Sequence, residues 1–169
     1  MSRSMRFVPQ HILPILKIYS MKANLLPASE RTLLTLWVGA LWVIGFIVTP
    51  TLFAELDERA LAGSVAGSLF ALTSYLGLVC GSLLLIFNGV SFRRINWRAV
   101  VIVCMLLLVI IGQFMITPLV VDLRVQGLTN TPRFGQLHGL ASVLFIITSV
   151  LGLLLVAAGQ QGRDQDRSP

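Results

Sequence analysis

Apolar residues do not alternate with polar ones along this chain; they run together. Four stretches, Leu33 to Phe53, Ser64 to Phe87, Ala99 to Val121 and Phe134 to Ala158, contain no Asp, Glu, Lys or Arg. Each exceeds the ~20 residues that a helix rising 1.5 Å per residue needs to cross ~30 Å of hydrocarbon. Continuous apolar runs predict helices, because the strands of a membrane barrel alternate in polarity over ~10 residues. The pattern therefore predicts an all-α membrane protein, a four-transmembrane-helix bundle over residues 32–159. A basic segment (1–31) precedes it, and a polar tail (160–169) expected to be disordered follows. Within the first twenty residues Pro9 and Pro14 predict breaks in any helix, and Met21 offers an alternative start.

Composition gives the same answer. Of the 169 residues 56% are hydrophobic and 12% charged, against about 45–50% and about 25% in soluble domains. So short a chain cannot hide that much apolar surface inside itself, and lipid is the partner it implies. The net charge of +6 sits between the apolar stretches. No basic and aromatic patch accompanies it, so nucleic acid is not a predicted partner. Five Lys and Arg precede the first stretch (Arg3, Arg6, Lys17, Lys22, Arg31), three lie in the middle connection (Arg93, Arg94, Arg98) and two in the tail (Arg163, Arg167). The other two connections carry only Arg59, Arg124 and Arg133. By the positive-inside rule both termini are expected in the cytoplasm of a bacterial inner membrane.

The two halves resemble each other. Leu69 to Leu78 reads LFALTSYLGL and Leu144 to Leu153 reads LFIITSVLGL, identical at seven of ten positions with an offset of 75. The first stretch carries FIVTP (Phe46 to Pro50) and the third FMITP (Phe114 to Pro118), with Glu55 and Asp122 close behind. A tandem two-helix repeat is predicted, its halves related by a pseudo-two-fold axis along the membrane normal. Small residues recur at helical spacing in both copies: Gly63, Gly67, Gly77 and Gly81 in one, Gly135, Ser142, Ser149 and Gly152 in the other. Such stripes, each of which also holds a phenylalanine (Phe70, Phe145), let membrane helices approach closely, within the bundle or between copies.

Few side chains offer chemistry. His138 is the one ionisable group inside a stretch, and intramembrane ionisable groups mark function by default. The structural alternative is a neutral imidazole bonded to Gln113 or to a carbonyl freed by Pro118. As a metal ligand His138 has Glu55, Asp122, Asp57 and Met115 as candidate neighbours, since metal sites need three or four ligands. Pro50 and Pro118 predict a helix kink or a helix end, with the carbonyls of Phe46 and Phe114 unpaired and Thr49 and Thr117 at hand to bond them. Cys80 and Cys104 fall at similar depth, as apolar filler or as a soft-metal pair. There is no phosphate loop, nucleophile triad or zinc-protease motif, so an enzyme is not the favoured reading. The uncharged spans argue against an ion-coupled transporter.

The segments LWVGALWVIGFIVTPTLFAEL, LAGSVAGSLF, YLGLVCG and LHG resemble an uncharacterised bacterial inner-membrane family related to the transmembrane-protein-205-like domain. The resemblance runs from about Leu33 to Leu155 and implies the topology above, but no mechanism. The spacing Trp42-x-x-Gly45-x-x-x-x-Pro50-x-Leu52-Phe53 is more distantly similar to copper-resistance-D-like membrane domains and membrane-embedded protoporphyrinogen oxidases. Where the oxidases place haem-related histidines, this chain has Thr35 and Glu55–Leu56, which leaves His138 for any metal or haem role. The expectation is a non-enzymatic, self-associating accessory or envelope-homeostasis protein. A copper, other metal or haem binder using His138 and a small transporter or channel are the alternatives.

Overall fold

The computed structural model describes the backbone of residues 13–91 and 97–164, and the side chains of residues 28–87 and 97–158. In chain order its elements are α1 (Leu13–Trp42), a π-helical segment (Val43–Val48), α2 (Thr49–Glu55), α3 (Arg59–Ser91), α4 (Trp97–Ile110), a second π-helical segment (Ile111–Ile116), α5 (Thr117–Val125) and α6 (Pro132–Asp164). No strand occurs among the described residues. Four helical stretches are long and apolar enough to cross a membrane: Ala28–Glu55, Arg59–Phe87, Trp97–Val125 and Pro132–Ala158. The fold is all-α, as expected.

Several boundaries differ from those predicted. α1 starts at Leu13, so the expected division at residue 31 falls inside one continuous helix. Pro14 lies in its first turn, where the N–H that proline lacks would have had no partner anyway. α6 runs to Asp164, five residues into the polar tail expected to be disordered; residues 165–169 and Pro9 lie outside the described residues.

Neither Pro50 nor Pro118 ends its helix. Each follows a six-residue π-helical segment and opens a further α-helix, α2 or α5, near its first position. The local bonding is the same in both. The Thr49 N–H donates to the Ile44 carbonyl, five residues back, and the Thr49 hydroxyl donates to the same oxygen at 2.8 Å. Thr117 does this to the Gly112 carbonyl, its hydroxyl at 2.9 Å. The threonines thus serve Ile44 and Gly112, not Phe46 and Phe114, because in a π turn the hydroxyl follows its own N–H to the carbonyl five residues back. Widening the turn ahead of a proline relieves the clash its ring would otherwise make, and the helix carries on.

The four spans form a closed ring in chain order, each packed on the next and the fourth on the first. Backbone contact between the two hairpins is concentrated in one half of the ring, where α1 meets α6 and α3 meets α4. That half is a dry core around Leu34, Trp37, Cys80, Ile102, Met105 and Leu155. Three stripe glycines make room for it. A Cβ at Gly77 would overlap the Trp37 indole, one at Gly81 would meet Leu106 at 2.6 Å, and one at Gly152 would meet Val38 at 2.7 Å. An Arg98–Glu30 ion pair of 3.0 Å ties the starts of the third and first spans together. Toward the other end, which carries the Leu56–Glu58 and Gln126–Thr131 connections, α2 packs on α3 and α5 on α6. There the hairpins part.

Candidate functional site

The divergence leaves a cavity of about 400 Å³, within the ~300–1,000 Å³ typical of small-molecule sites. Its floor is made by Leu41, Val109, Thr73 and Thr148. The two threonines are 2% and 3% exposed, and each donates its hydroxyl to the carbonyl four residues back, at 2.8 Å. Bonded in this way, they cost little to bury. Phe70 and Phe145, the phenylalanines of the two stripes, meet edge to face across the cavity with centroids 5.2 Å apart. The Phe145 ring lies against Gly45, where a Cβ would overlap it. A glycine there is what lets a fourth-span side chain reach the first span.

Polar groups gather toward the open end: Thr49, Gln113, Thr117, Ser142, His138 and Arg124. Arg124 is the residue that sequence reasoning missed. It stands in the last turn of α5, where a cation complements the helix dipole. From there its side chain crosses to the other hairpin, and Nη1 donates to the Gly63 carbonyl at 3.0 Å. Gly63 and Gly67 do not receive a helix. They receive this guanidinium, which comes within 3.6 Å and 3.4 Å of where their Cβ atoms would be. The signal was present in the sequence, since Gln113, Thr117, Val120 and Arg124 recur at helical spacing and extend the polar face of the third span.

His138 lines the same cavity near its open end, is itself exposed, and stacks on Phe134 with centroids 5.9 Å apart and 3° between the planes. The candidate ligands do not join it. Asp122 accepts a 2.9 Å hydrogen bond from Gln126, Met115 is 63% exposed, and neither they nor Glu55 line the cavity. Among the described residues no group of three or more His, Cys, Asp or Glu is placed to hold a metal. Helical geometry explains this, because Asp122 is two residues, about 200°, around α5 from Arg124. The cysteines part likewise: Cys80 is buried and Cys104 exposed.

The four small residues of the fourth-span stripe have four different surroundings. Gly152 receives Val38, Ser149 is 1% exposed with no hydrogen-bond partner for its hydroxyl, and Ser142 turns its hydroxyl back to the His138 carbonyl at 2.9 Å. Gly135 has open space where a Cβ would be. These small residues admit side chains from neighbouring spans of the same chain more than they admit a second helix.

The arrangement can therefore hold an elongated, mainly apolar molecule, and it offers cationic and hydroxyl groups at the mouth. No match was found among curated proteins or among solved structures. A family model described as a domain of unknown function, DUF4149, matches residues 32–129. That covers the first three spans and Arg124 and stops before α6, which contributes His138, Ser142 and Phe145 to the cavity. The match takes in more than half of the chain, which belongs to the DUF4149 family, a domain of unknown function.

Proposed function

We propose that this protein is a non-enzymatic membrane binding protein that receives a small amphiphile between its two hairpins. One observation carries the reading: the cavity is lined mostly by apolar side chains, the hydroxyls of Thr73, Ser74 and Thr148 are spent on carbonyls of their own helices, and the two cationic or titratable side chains of the lining, Arg124 and His138, come from the ends of their spans. A bundle that needed only to be stable would close on itself there, as it does around Trp37. The Lys and Arg distribution supports a bacterial inner membrane with cytoplasmic ends. That orientation turns the cavity mouth toward the periplasm and suits an accessory role in handling envelope lipids. Affiliation with the transmembrane-protein-205-like domain, which rests on the segments LWVGALWVIGFIVTPTLFAEL, LAGSVAGSLF, YLGLVCG and LHG, and with copper-resistance-D-like domains, which rests on the Trp42 to Phe53 spacing, is part of the proposal. Matching Thr-Pro π segments and the Phe70–Phe145 pair support duplication of a two-helix unit.

The test is to purify the full chain in mild detergent and record native mass spectra, with Ala141→Phe as control. Ala141 lines the cavity wall, and a ring there occupies the ligand's space. A bound mass of a few hundred daltons, stoichiometric in the wild type and lost in the variant, is expected. A bare wild-type chain, with no added amphiphile taken up, contradicts the reading. The same spectra count copies. A shallow groove at Thr35, Gly39 and Leu153, on the outer face of the first and fourth spans, favours self-association as a second reading, since nothing lies within 4 Å of a Cβ at Gly39.

A further inference from the structure

We infer that the amphiphile carries an acidic head, a carboxylate or a phosphate, and that Arg124 is the residue that binds it. This rests on the cavity being a ligand site and specifies which ligand it takes. Of the residues lining the cavity one is a cation, one is a histidine and none is acidic. The electrostatic field of the lining therefore favours an anion. A guanidinium has five N–H donors in a fixed fork, and Arg124 makes one hydrogen bond, to the Gly63 carbonyl. The one ion pair among the described side chains is Arg98–Glu30, and Asp122, the acid nearest along the helix, is bonded to Gln126. Among the described residues Arg124 has no counter-ion, and a half-buried cation at the end of a span is placed to take one from outside the chain.

The glycines fix where the head sits. Because residues 63 and 67 lack side chains, the guanidinium comes up against the α3 backbone, where one N–H is taken by the Gly63 carbonyl and the others remain for a bidentate partner. Size decides the tail. At the ~30 Å³ a water-sized group occupies in a liquid, the cavity's 400 Å³ holds on the order of a dozen such groups. That suits one alkyl chain and excludes a two-chain phospholipid. The ligand class is a single-chain acidic amphiphile.

Three C12 probes settle this by native mass spectrometry on the full chain: laurate, dodecyl phosphate and dodecanol, with inorganic phosphate as the headgroup-only arm. Wild type is expected to bind the two acids about 10–100-fold more tightly than the alcohol, as a charge-assisted pair implies. Arg124→Gln is expected to erase that preference while leaving alcohol binding in place. Equal binding of acids and alcohol by wild type overturns the acidic head but leaves the cavity reading intact. Inorganic phosphate binding as tightly as dodecyl phosphate overturns the tail. Failure of all C12 probes, with wild type and Ala141→Phe indistinguishable, sinks both proposals. Since Arg124→Gln also removes the link to Gly63, thermal melting of each variant is recorded without ligand. If that variant does not fold, the wild-type ratio of acid to alcohol binding decides alone.

Discussion

Replacing Trp37 by alanine is expected to destabilise the bundle by about 3 kcal/mol, the low end of the range for emptying a buried tryptophan site. Trp37 is 0% exposed and central to the dry core, with its indole seated over Gly77 and Gly81. In lipid the transfer component of such a loss shrinks, because the solvent is as apolar as the core. What remains is lost dispersion contact and an unfilled void. The indole N–H has no hydrogen-bond partner, so Trp37→Phe, which removes that donor and keeps a ring in place, is expected to cost well under half as much. Reversible unfolding in mixed micelles measures both. Equal, small losses would show that the core around Trp37 is not what holds the hairpins together.

The second large effect is at Gly77. A Cβ there would overlap the five-membered ring of Trp37, a rigid group with no free space to move into. Gly77→Val is expected to cost about 1–3 kcal/mol by over-packing. The same change in a Trp37→Ala background is expected to cost less, because the valine then occupies the emptied volume. Residues in direct contact do not add, and a double-mutant cycle in the same assay reads the coupling. Strictly additive losses would mean that the two residues do not touch. Gly135→Ala, where the space is open, serves as the neutral control.

How much of this was legible in the sequence depends on which residue is asked about. The spans were legible because an uncharged run of twenty or more residues has one solvent that suits it. The small-residue stripes were legible as places of close approach, but not as to what approaches. Gly77, Gly81 and Gly152 receive Trp37, Leu106 and Val38, and a stripe looks the same in sequence whether a backbone or a side chain fills it. Arg124 was hidden by being counted with the loop cations that set topology. Its place on the Gln113–Thr117–Val120 face shows that it belongs to the span.

The prolines divide the same way. Thr49-Pro50 and Thr117-Pro118 marked a disturbance, and apolar residues continuing past each, Leu52 to Ala54 and Leu119 to Val121, were the sign that the helix goes on. A π turn has no composition of its own, so its form could not be read. The metal set around His138 failed for a geometric reason. An expected place at the same end of the bundle put Asp122 and Glu55 beside it, whereas neither lines the cavity.

The central claim is that the hairpins part to leave a solvent-reached cavity, and its mouth is expected to open on the periplasmic side. Thiol accessibility tests this most directly. In a Cys104→Ala chain, the remaining Cys80 is 2% exposed and serves as the unreactive internal control. Ser142→Cys, on the cavity wall, is compared with Val143→Cys, its neighbour on the lipid-facing side. A membrane-impermeant thiol reagent added outside spheroplasts is predicted to modify the first at least about ten times faster than the second, and laurate is predicted to slow that reaction. Equal rates at the two positions, or labelling of position 142 only from the cytoplasmic side, would contradict the account.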